Sequence, residues 1–122
     1  MPKPVILIVD DDTGSRQALE DILRDEGYAV ATASDGGDAL NYLRAGHRPR
    51  VILLDLMMPG IDGWDFYAEQ KRNPDLASIP VIAISAAGKL VDAPYSLRKP
   101  IDVDQLLKLL HSILGGPDAA PA

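Results

Sequence analysis

The amino-acid sequence predicts an α/β fold, in which helices pack on a parallel β-sheet. Five short apolar runs are rich in Val, Ile and Leu and nearly continuous, which is typical of strands buried on both faces of a parallel sheet. Segments with helical spacing separate most of these runs, and this alternation indicates right-handed crossovers. At 122 residues, the chain fits one domain with its own core. The predicted strands cover residues 5–9, 28–33, 51–54, 79–84 and, with a weaker pattern, 95–98.

The first two predicted helices follow the first and second strands. An apolar stripe defines the first helix, which Asp12 or Thr13 can cap and which Gly27 can end. Asp35 precedes the second helix, whose stripe is shorter. The stripe residues are Ala18, Leu19, Ile22 and Leu23 in the first helix, and Ala39, Leu40 and Leu43 in the second.

The other two predicted helices follow the third and fifth strands. One opens at Asp62 and ends before Pro74, because the residue that precedes a proline disfavours the helical conformation. The last helix begins at Asp102, which forms a capping-box pattern with Gln105. Their apolar residues are Phe66 and Tyr67 in the former, and Leu106, Leu107, Leu110 and Leu114 in the latter.

The segment between the fourth and fifth strands breaks the alternation. It contains Gly88 and Pro94 and is too short for a full helix, so we expect the helix between these strands to be shortened or absent. The C-terminal residues 115–122 lack apolar periodicity. We therefore expect a single domain over residues 1–114 and a disordered tail over residues 115–122.

Composition excludes several classes of function. The formal net charge of -6 argues against a nucleic-acid-binding surface, which needs clustered Lys and Arg. The chain has no cysteine, which excludes thiolate zinc sites, thiol catalysis and disulfides. No apolar run reaches the length of a membrane span, and the N-terminus does not have the pattern of a signal peptide. We expect a cytoplasmic protein that binds neither nucleic acid nor membrane.

Polar side chains recur where the predicted strands end. In an open parallel sheet, ligands bind outside the carboxyl ends of the strands, so we expect these side chains to converge. Several carboxylates cannot all stay ionised at close range without a cation, and Mg²⁺ prefers oxygen ligands. A lysine, a hydroxyl and Mg²⁺ around one carboxylate suit phosphoryl transfer to an aspartate. The residues are Asp10 and Asp11 after the first strand, Asp55 after the third, Ser85 after the fourth and Lys99 after the fifth.

Four motifs resemble the receiver domain of two-component response regulators. They are IVDD ending at Asp11, LLDLMMPGIDG around Asp55, VIAISA around Ser85 and RKP around Lys99. The stretch D-x-x-M-P-G-x-D-G that begins at Asp55 is highly specific in combination with the others. The resemblance covers about residues 4–114. It implies a flavodoxin-like, doubly wound sheet of five parallel strands in the order 2-1-3-4-5.

The resemblance also implies a role for each site residue. Asp55 is the phosphoacceptor, and Mg²⁺ is held by Asp10, Asp11, Asp55 and the backbone carbonyl of Met57. Ser85 donates a hydrogen bond to the phosphoryl group, Lys99 pairs with its oxygens, and the Lys99–Pro100 bond is cis. Asp12, next to the metal-binding pair, is expected to cap the first helix.

The partners that this family implies are other proteins. The phosphoryl donor is a sensor histidine kinase or a histidine phosphotransfer protein, and the signal passes to an unknown downstream protein. We expect a monomer or weak dimer, and no enzymatic activity other than self-catalysed phosphorylation and dephosphorylation of the aspartate.

Two features depart from the family pattern. Ser85 and Lys99 are fourteen positions apart, which leaves too little chain for a full helix between them. The aromatic residue that moves in typical receivers falls at Ser96 here, with Tyr95 one position earlier, and a one-residue shift in a strand reverses the face. We therefore expect an atypical output face.

Two other functions remain open from the sequence. One is an interaction domain that has kept the fold but is not switched by phosphorylation. The other is a small phosphatase of the haloacid dehalogenase type, whose D-x-D-x-[TV] motif Asp10 and Asp12 match, although Gly14 occupies the Thr/Val position. A phosphoryl group trapped on Asp10 rather than on Asp55 would favour the phosphatase.

Overall fold

The computed structural model describes residues 5–56, 63–85 and 93–115. Within them the chain forms five strands and four helices. The strands are β1 Val5–Val9, β2 Ala29–Ala33, β3 Val51–Asp55, β4 Val81–Ser85 and β5 Tyr95–Arg98. The helices are α1 Thr13–Asp25, α2 Gly36–Arg44, α3 Gly63–Arg72 and α4 Val103–Leu114.

The five strands form one parallel sheet in the order β2-β1-β3-β4-β5. This confirms the predicted fold class and strand order. Because all strands are parallel, their carboxyl ends lie at one edge of the sheet, which we call the carboxyl edge. β1 and β3 lie next to each other at its centre, and Val9 pairs with Leu54. The residues that follow these two strands are therefore brought close together.

Alternate residues of the central strands face two separate apolar clusters. One cluster packs the sheet against α2 and α3, and the other packs it against α1 and α4. The first contains Leu7, Val9, Ile52, Leu54, Ala83, Leu40, Leu43 and Phe66, among others. The second contains Ile6, Ile8, Leu53, Ile82, Ile84, Leu23, Leu106 and Leu110, among others.

Aspartates cap three of the four helices in the described residues. Asp12 Oδ2 accepts a hydrogen bond from the backbone N–H of Ser15 at 2.8 Å, which confirms the expected cap of α1. Asp35 accepts in the same way from Asp38 at the start of α2. Asp102 accepts from the backbone of Gln105 at the start of α4.

The fourth strand begins two residues later than the sequence pattern predicts. Pro80 has no N–H to donate, and the backbone N–H of Ile79 donates instead to Leu76 within a turn. The buried side-chain amide of Gln70 donates to the backbone carbonyls of Leu76 and Ile79. These bonds keep the apolar Ile79 in the α3–β4 turn, where it is buried without belonging to the sheet.

Several predictions fall on residues outside the described ranges. They are the cap at Asp62, the carbonyl of Met57, most of the segment between β4 and β5, and the tail after residue 115, so the domain boundary at residue 114 stays a prediction. The Lys99–Pro100 peptide bond is cis, as expected. No helix in the described residues combines the length and apolar composition that crossing a membrane requires.

Candidate functional site

Asp10 directly follows β1, and hydrogen bonds fix both its backbone and its side chain. Its backbone N–H donates to Ala33 at the end of β2 at 3.1 Å, and its Oδ1 accepts from the backbone N–H of Asp12 at 2.9 Å. Only 4% of Asp10 is exposed. The β1–α1 connection contains only residues 10–12, so its hydrogen bonds fix the start of α1 against the carboxyl edge.

Asp55 is the last residue of β3 and is 2% exposed. Lys99, just after β5, donates a hydrogen bond and forms an ion pair with Asp55 Oδ2 at 3.0 Å. Backbone bonds fix both chain segments: Leu56 N–H donates to Ile84, and Lys99 N–H donates to Ser85. The strand ends therefore hold the carboxylate and the ammonium group together.

Asp10, Asp11 and Asp55 form one acidic cluster. Each offers a carboxylate oxygen, and these three atoms lie within 4.8 Å of one another. Asp10 and Asp55 are buried, whereas Asp11 is exposed. Carboxylate oxygens suit Mg²⁺, which binds through one or two carboxylates and keeps waters or phosphate oxygens in its other positions. The donor set therefore fits this ion.

The pKa values reflect this crowding. Burial is the largest influence and raises the pKa of Asp10, while the Asp12 backbone bond opposes it and the adjacent Asp55 carboxylate adds to it. Burial alone lowers the pKa of Lys99, but its hydrogen bond to Asp55 and the nearby carboxylate charges outweigh burial and raise that pKa. Lys99 therefore stays protonated and offsets part of the negative charge.

Ser85 ends β4 at the same edge and is 3% exposed. Its Oγ atom is buried, and it has no hydrogen-bond partner among residues 5–56, 63–85 and 93–115. Buried hydroxyl groups usually have a partner. A hydroxyl of this kind, at the same edge of the sheet as the ion pair, is suited to donate to an oxygen-rich ligand.

Gly63 brings the start of α3 against the backbone at the end of β3. A Cβ at this position would lie 2.5 Å from the carbonyl oxygen of Asp55 and 2.6 Å from the Cα of Leu56. Because both are backbone atoms, the contact can be relieved only by moving α3 or the end of β3. Glycine here therefore sets how closely α3 approaches Asp55.

The structure brings together Asp10, Asp11, Asp55 and Lys99 as predicted, with Ser85 at the same edge. Met57 lies outside the described residues. The Asp12 carboxylate caps α1 instead of joining the acidic cluster, which argues against the phosphatase alternative. The sequence pattern does not predict a role for Arg16, whose guanidinium donates to the carbonyl of Asp10. Its position four residues after Asp12, one helical turn away, is the only signal for it in the sequence.

Comparison with known proteins identifies the family of the chain. Residues 6–111 match the family described as "Response regulator receiver domain". The chain belongs to this family. Receiver domains of two-component systems are generally non-enzymatic signalling domains. They interact with histidine kinases or phosphotransfer proteins.

Two relatives from Pseudomonas aeruginosa align over most of their length. Protein PilH is 33% identical over 119 residues, which cover 91% of this chain and 98% of PilH. Protein PilG is 36% identical over 110 residues, which cover 84% of this chain and 81% of PilG. The chain spans about half the length of other curated relatives, such as 56% of the response regulator Rre1 of Synechocystis at 30% identity.

Solved structures agree with this assignment. The chemotaxis protein CheY4 of Vibrio cholerae superposes with a TM-score of 0.81 at 30% identity, over 91% of this chain and 98% of that one. A receiver domain from a signal transduction histidine kinase of Syntrophus aciditrophicus gives a TM-score of 0.84 at 28% identity, over 98% of this chain and 96% of that one. The predicted family is confirmed.

Proposed function

We propose that this receiver accepts a phosphoryl group on Asp55 from a phosphohistidine, in a reaction that depends on Mg²⁺. The observation that carries this proposal is that Asp55 contacts both an acidic pair and a fixed ammonium group. Carboxylate oxygens of Asp10, Asp11 and Asp55 lie within 4.8 Å of one another, and Lys99 Nζ lies 3.0 Å from Asp55 Oδ2. A carboxylate that is close to both a pair of further oxygen donors and an ammonium group is suited to phosphoryl transfer.

In the proposed reaction, a carboxylate oxygen of Asp55 attacks the phosphorus atom of the donor's phosphohistidine. The bond between phosphorus and the imidazole nitrogen breaks as the new oxygen–phosphorus bond forms, and the histidine leaves. Lys99 pairs with a phosphoryl oxygen, and the Ser85 hydroxyl donates to another. Asp10, Asp11 and Asp55, with the carbonyl of Met57, would hold Mg²⁺, which supplies positive charge to the phosphoryl oxygens. The chain itself promotes formation and hydrolysis of the aspartyl-phosphate and acts on no other substrate.

We propose a sensor histidine kinase or a histidine phosphotransfer protein as the donor, and a further protein as the receiver of the signal. Membership of the response regulator receiver family supports a role in signalling through protein contacts.

The output surface is proposed to differ from that of typical receivers. Ser96, at the position where the family has its moving aromatic residue, is exposed. Tyr95 packs against the apolar cluster shared with α1 and α4, together with the buried Leu97 of the same strand. A change at Asp55 would therefore not reach β5 through an aromatic residue at the usual position.

Phosphotransfer from radiolabelled histidine kinases tests the proposal. The wild type is expected to take up label from its cognate kinase with Mg²⁺ and to lose this uptake in EDTA. Asp55→Asn is expected to take up none. Asp12→Asn is the matched control, because it lies beside the acidic cluster and Asn also caps helices, so it should label like the wild type. Label on Asp55→Asn would contradict the assignment.

The displaced aromatic residue also favours a second candidate function, an interaction domain that is not switched by phosphorylation. Binding of Mg²⁺ and beryllofluoride separates the two candidates. Trp64 lies nine positions after Asp55 and is 46% exposed, so its fluorescence can report binding, with calorimetry as a second method. Saturable binding that Asp55→Asn abolishes supports the phosphoacceptor. No binding by either method supports the unswitched domain.

A further inference from the structure

Arg16, in the first turns of α1, contacts the loop that carries the acidic pair. Its Nη1 atom donates a hydrogen bond to the backbone carbonyl of Asp10 at 2.8 Å. The backbone N–H of Arg16 donates to the carbonyl of Asp12 at 2.9 Å, and the N–H of Asp12 donates to Asp10 Oδ1 at 2.9 Å. Asp10, Asp12 and Arg16 therefore form a closed ring of three hydrogen bonds.

This ring fixes the peptide group that joins Asp10 to Asp11. The N–H of Asp10 is already held by Ala33, and its side chain is held by Asp12. The remaining backbone polar atom of Asp10 is the carbonyl oxygen, which Arg16 holds. Because the orientation of this peptide sets the direction in which the exposed Asp11 side chain leaves the backbone, the Arg16 contact influences both carboxylates.

We propose that Arg16 is a positioning residue, which holds the Asp10–Asp11 peptide so that both carboxylates point at one divalent cation. This inference rests on the proposed function, because it concerns the same Mg²⁺ site. Arg16 would act through the peptide and would not touch the ion. Groups that orient metal ligands in this way commonly determine how tightly a site binds its ion.

The charge of Arg16 has the opposite effect on the cation. A guanidinium group close to the acidic cluster repels Mg²⁺, so removing its charge alone would strengthen Mg²⁺ binding. Removing a positioning contact would weaken that binding. The direction of the change in Mg²⁺ affinity therefore distinguishes a positioning residue from a residue that acts only through its charge.

Arg24 provides a matched control on the same helix. Its Nη2 donates to the backbone carbonyl of Val30 in β2 at 3.0 Å, and its Nε pairs with Glu20 at 2.9 Å. It therefore makes the same type of contact, from an arginine on α1 to a backbone carbonyl, at the end of the helix away from the acidic cluster. Its loss should affect folding stability without affecting the orientation of Asp10 and Asp11.

The experiment measures Mg²⁺ binding by calorimetry for the wild type, Arg16→Met and Arg24→Met, with urea unfolding of each. Met keeps the aliphatic part of the side chain and a high helix propensity. We expect Arg16→Met to raise the Mg²⁺ dissociation constant about tenfold, and Arg24→Met to leave it within about twofold. Arg16→Gln, which is too short to keep the contact, should behave like Arg16→Met.

An NMR measurement tests the contact itself. The carbonyl ¹³C resonance of Asp10 should shift upfield in metal-free Arg16→Met and stay in place in Arg24→Met, because only the former loses a hydrogen bond to that oxygen. Unchanged or tighter Mg²⁺ binding in Arg16→Met, with a wild type that binds, would overturn the role of Arg16 alone. A wild type that binds no Mg²⁺ would overturn the metal site and this inference together.

Discussion

Gln70 and Asp55 are both buried polar side chains, with exposed fractions of 0% and 2%, but their surroundings differ. The Gln70 amide is neutral, and it donates to two backbone carbonyls of the α3–β4 turn. Asp55 lies among other carboxylates, with Lys99 as the cation of an ion pair.

The difference indicates two uses of a buried polar group. Gln70 satisfies carbonyls that would otherwise be buried without a partner, so it contributes to folding stability. Asp55 and its acidic neighbours repel one another, so the metal-free protein holds them at a cost in stability. Changes around Gln70 should therefore affect stability and leave ligand binding intact, and changes around Asp55 should affect binding.

Replacing Gln70 tests the stability side of this comparison and has the largest expected effect on unfolding. Gln70→Ala leaves the carbonyls of Leu76 and Ile79 without their donor and opens a cavity, which should cost about 3 kcal/mol of unfolding free energy. Urea unfolding measures the loss. Beryllofluoride affinity of the folded protein should stay at the wild-type value, and an unchanged urea midpoint would refute the role given to Gln70.

Gly63→Ala is expected to affect both properties, because Gly63 packs the start of α3 against the end of β3. The added Cβ would meet backbone atoms of Asp55 and Leu56, so we expect a loss of about 2 kcal/mol and weaker beryllofluoride binding. Gly14→Ala in α1 is the control: the nearest atom to its Cβ, Asp12 Oδ2, is 3.6 Å away. Alanine should stabilise that helix by about 0.5 kcal/mol. Equal stability changes in the two variants would contradict the close contact at Gly63.

Much of this arrangement was predictable from the sequence. Continuous apolar runs identified the strands, and polar residues after those runs identified Asp10, Asp55, Ser85 and Lys99, because parallel strands bring their carboxyl ends to one edge. The start of β4 was placed too early, since an apolar pattern cannot show that Gln70 takes the carbonyls of the α3–β4 turn. The contact from Arg16 to Asp10 was missed for a related reason: spacing does not encode where a long side chain ends.

The pH dependence of stability tests the cost at the acidic cluster and has a smaller expected effect. The pKa of Asp10 is raised in the folded protein above the ordinary aspartate value of 3.8, mainly by burial. Between these two pKa values the folded state binds more protons than the unfolded state, so rising pH lowers stability across that window. The stability that protonation of Asp10 contributes to the folded state is therefore lost as pH rises through the raised folded pKa.

Asp10→Asn removes this titration and keeps an oxygen that can accept from Asp12. In EDTA, the variant and the wild type should have similar stability below pH 3.8. The stability difference should grow between pH 3.8 and the raised pKa and stay constant above it, with the variant the more stable. Urea unfolding across this pH range measures the difference in unfolding free energy between the two proteins. The pH-dependent contributions of the other carboxylates are present in both and largely cancel. A variant that is less stable at neutral pH would show that the cluster stabilises the metal-free fold.

The most direct test of the central claim is to locate a phosphoryl group on the protein. The purified chain is treated with acetyl phosphate and Mg²⁺, and its intact mass and modified peptide are determined by mass spectrometry, with Asp55→Asn treated in parallel. We predict that the wild type gains the mass of one phosphoryl group on Asp55, and that the variant gains none. A wild type that gains no mass, or a phosphoryl group on Asp10 instead, would contradict the account.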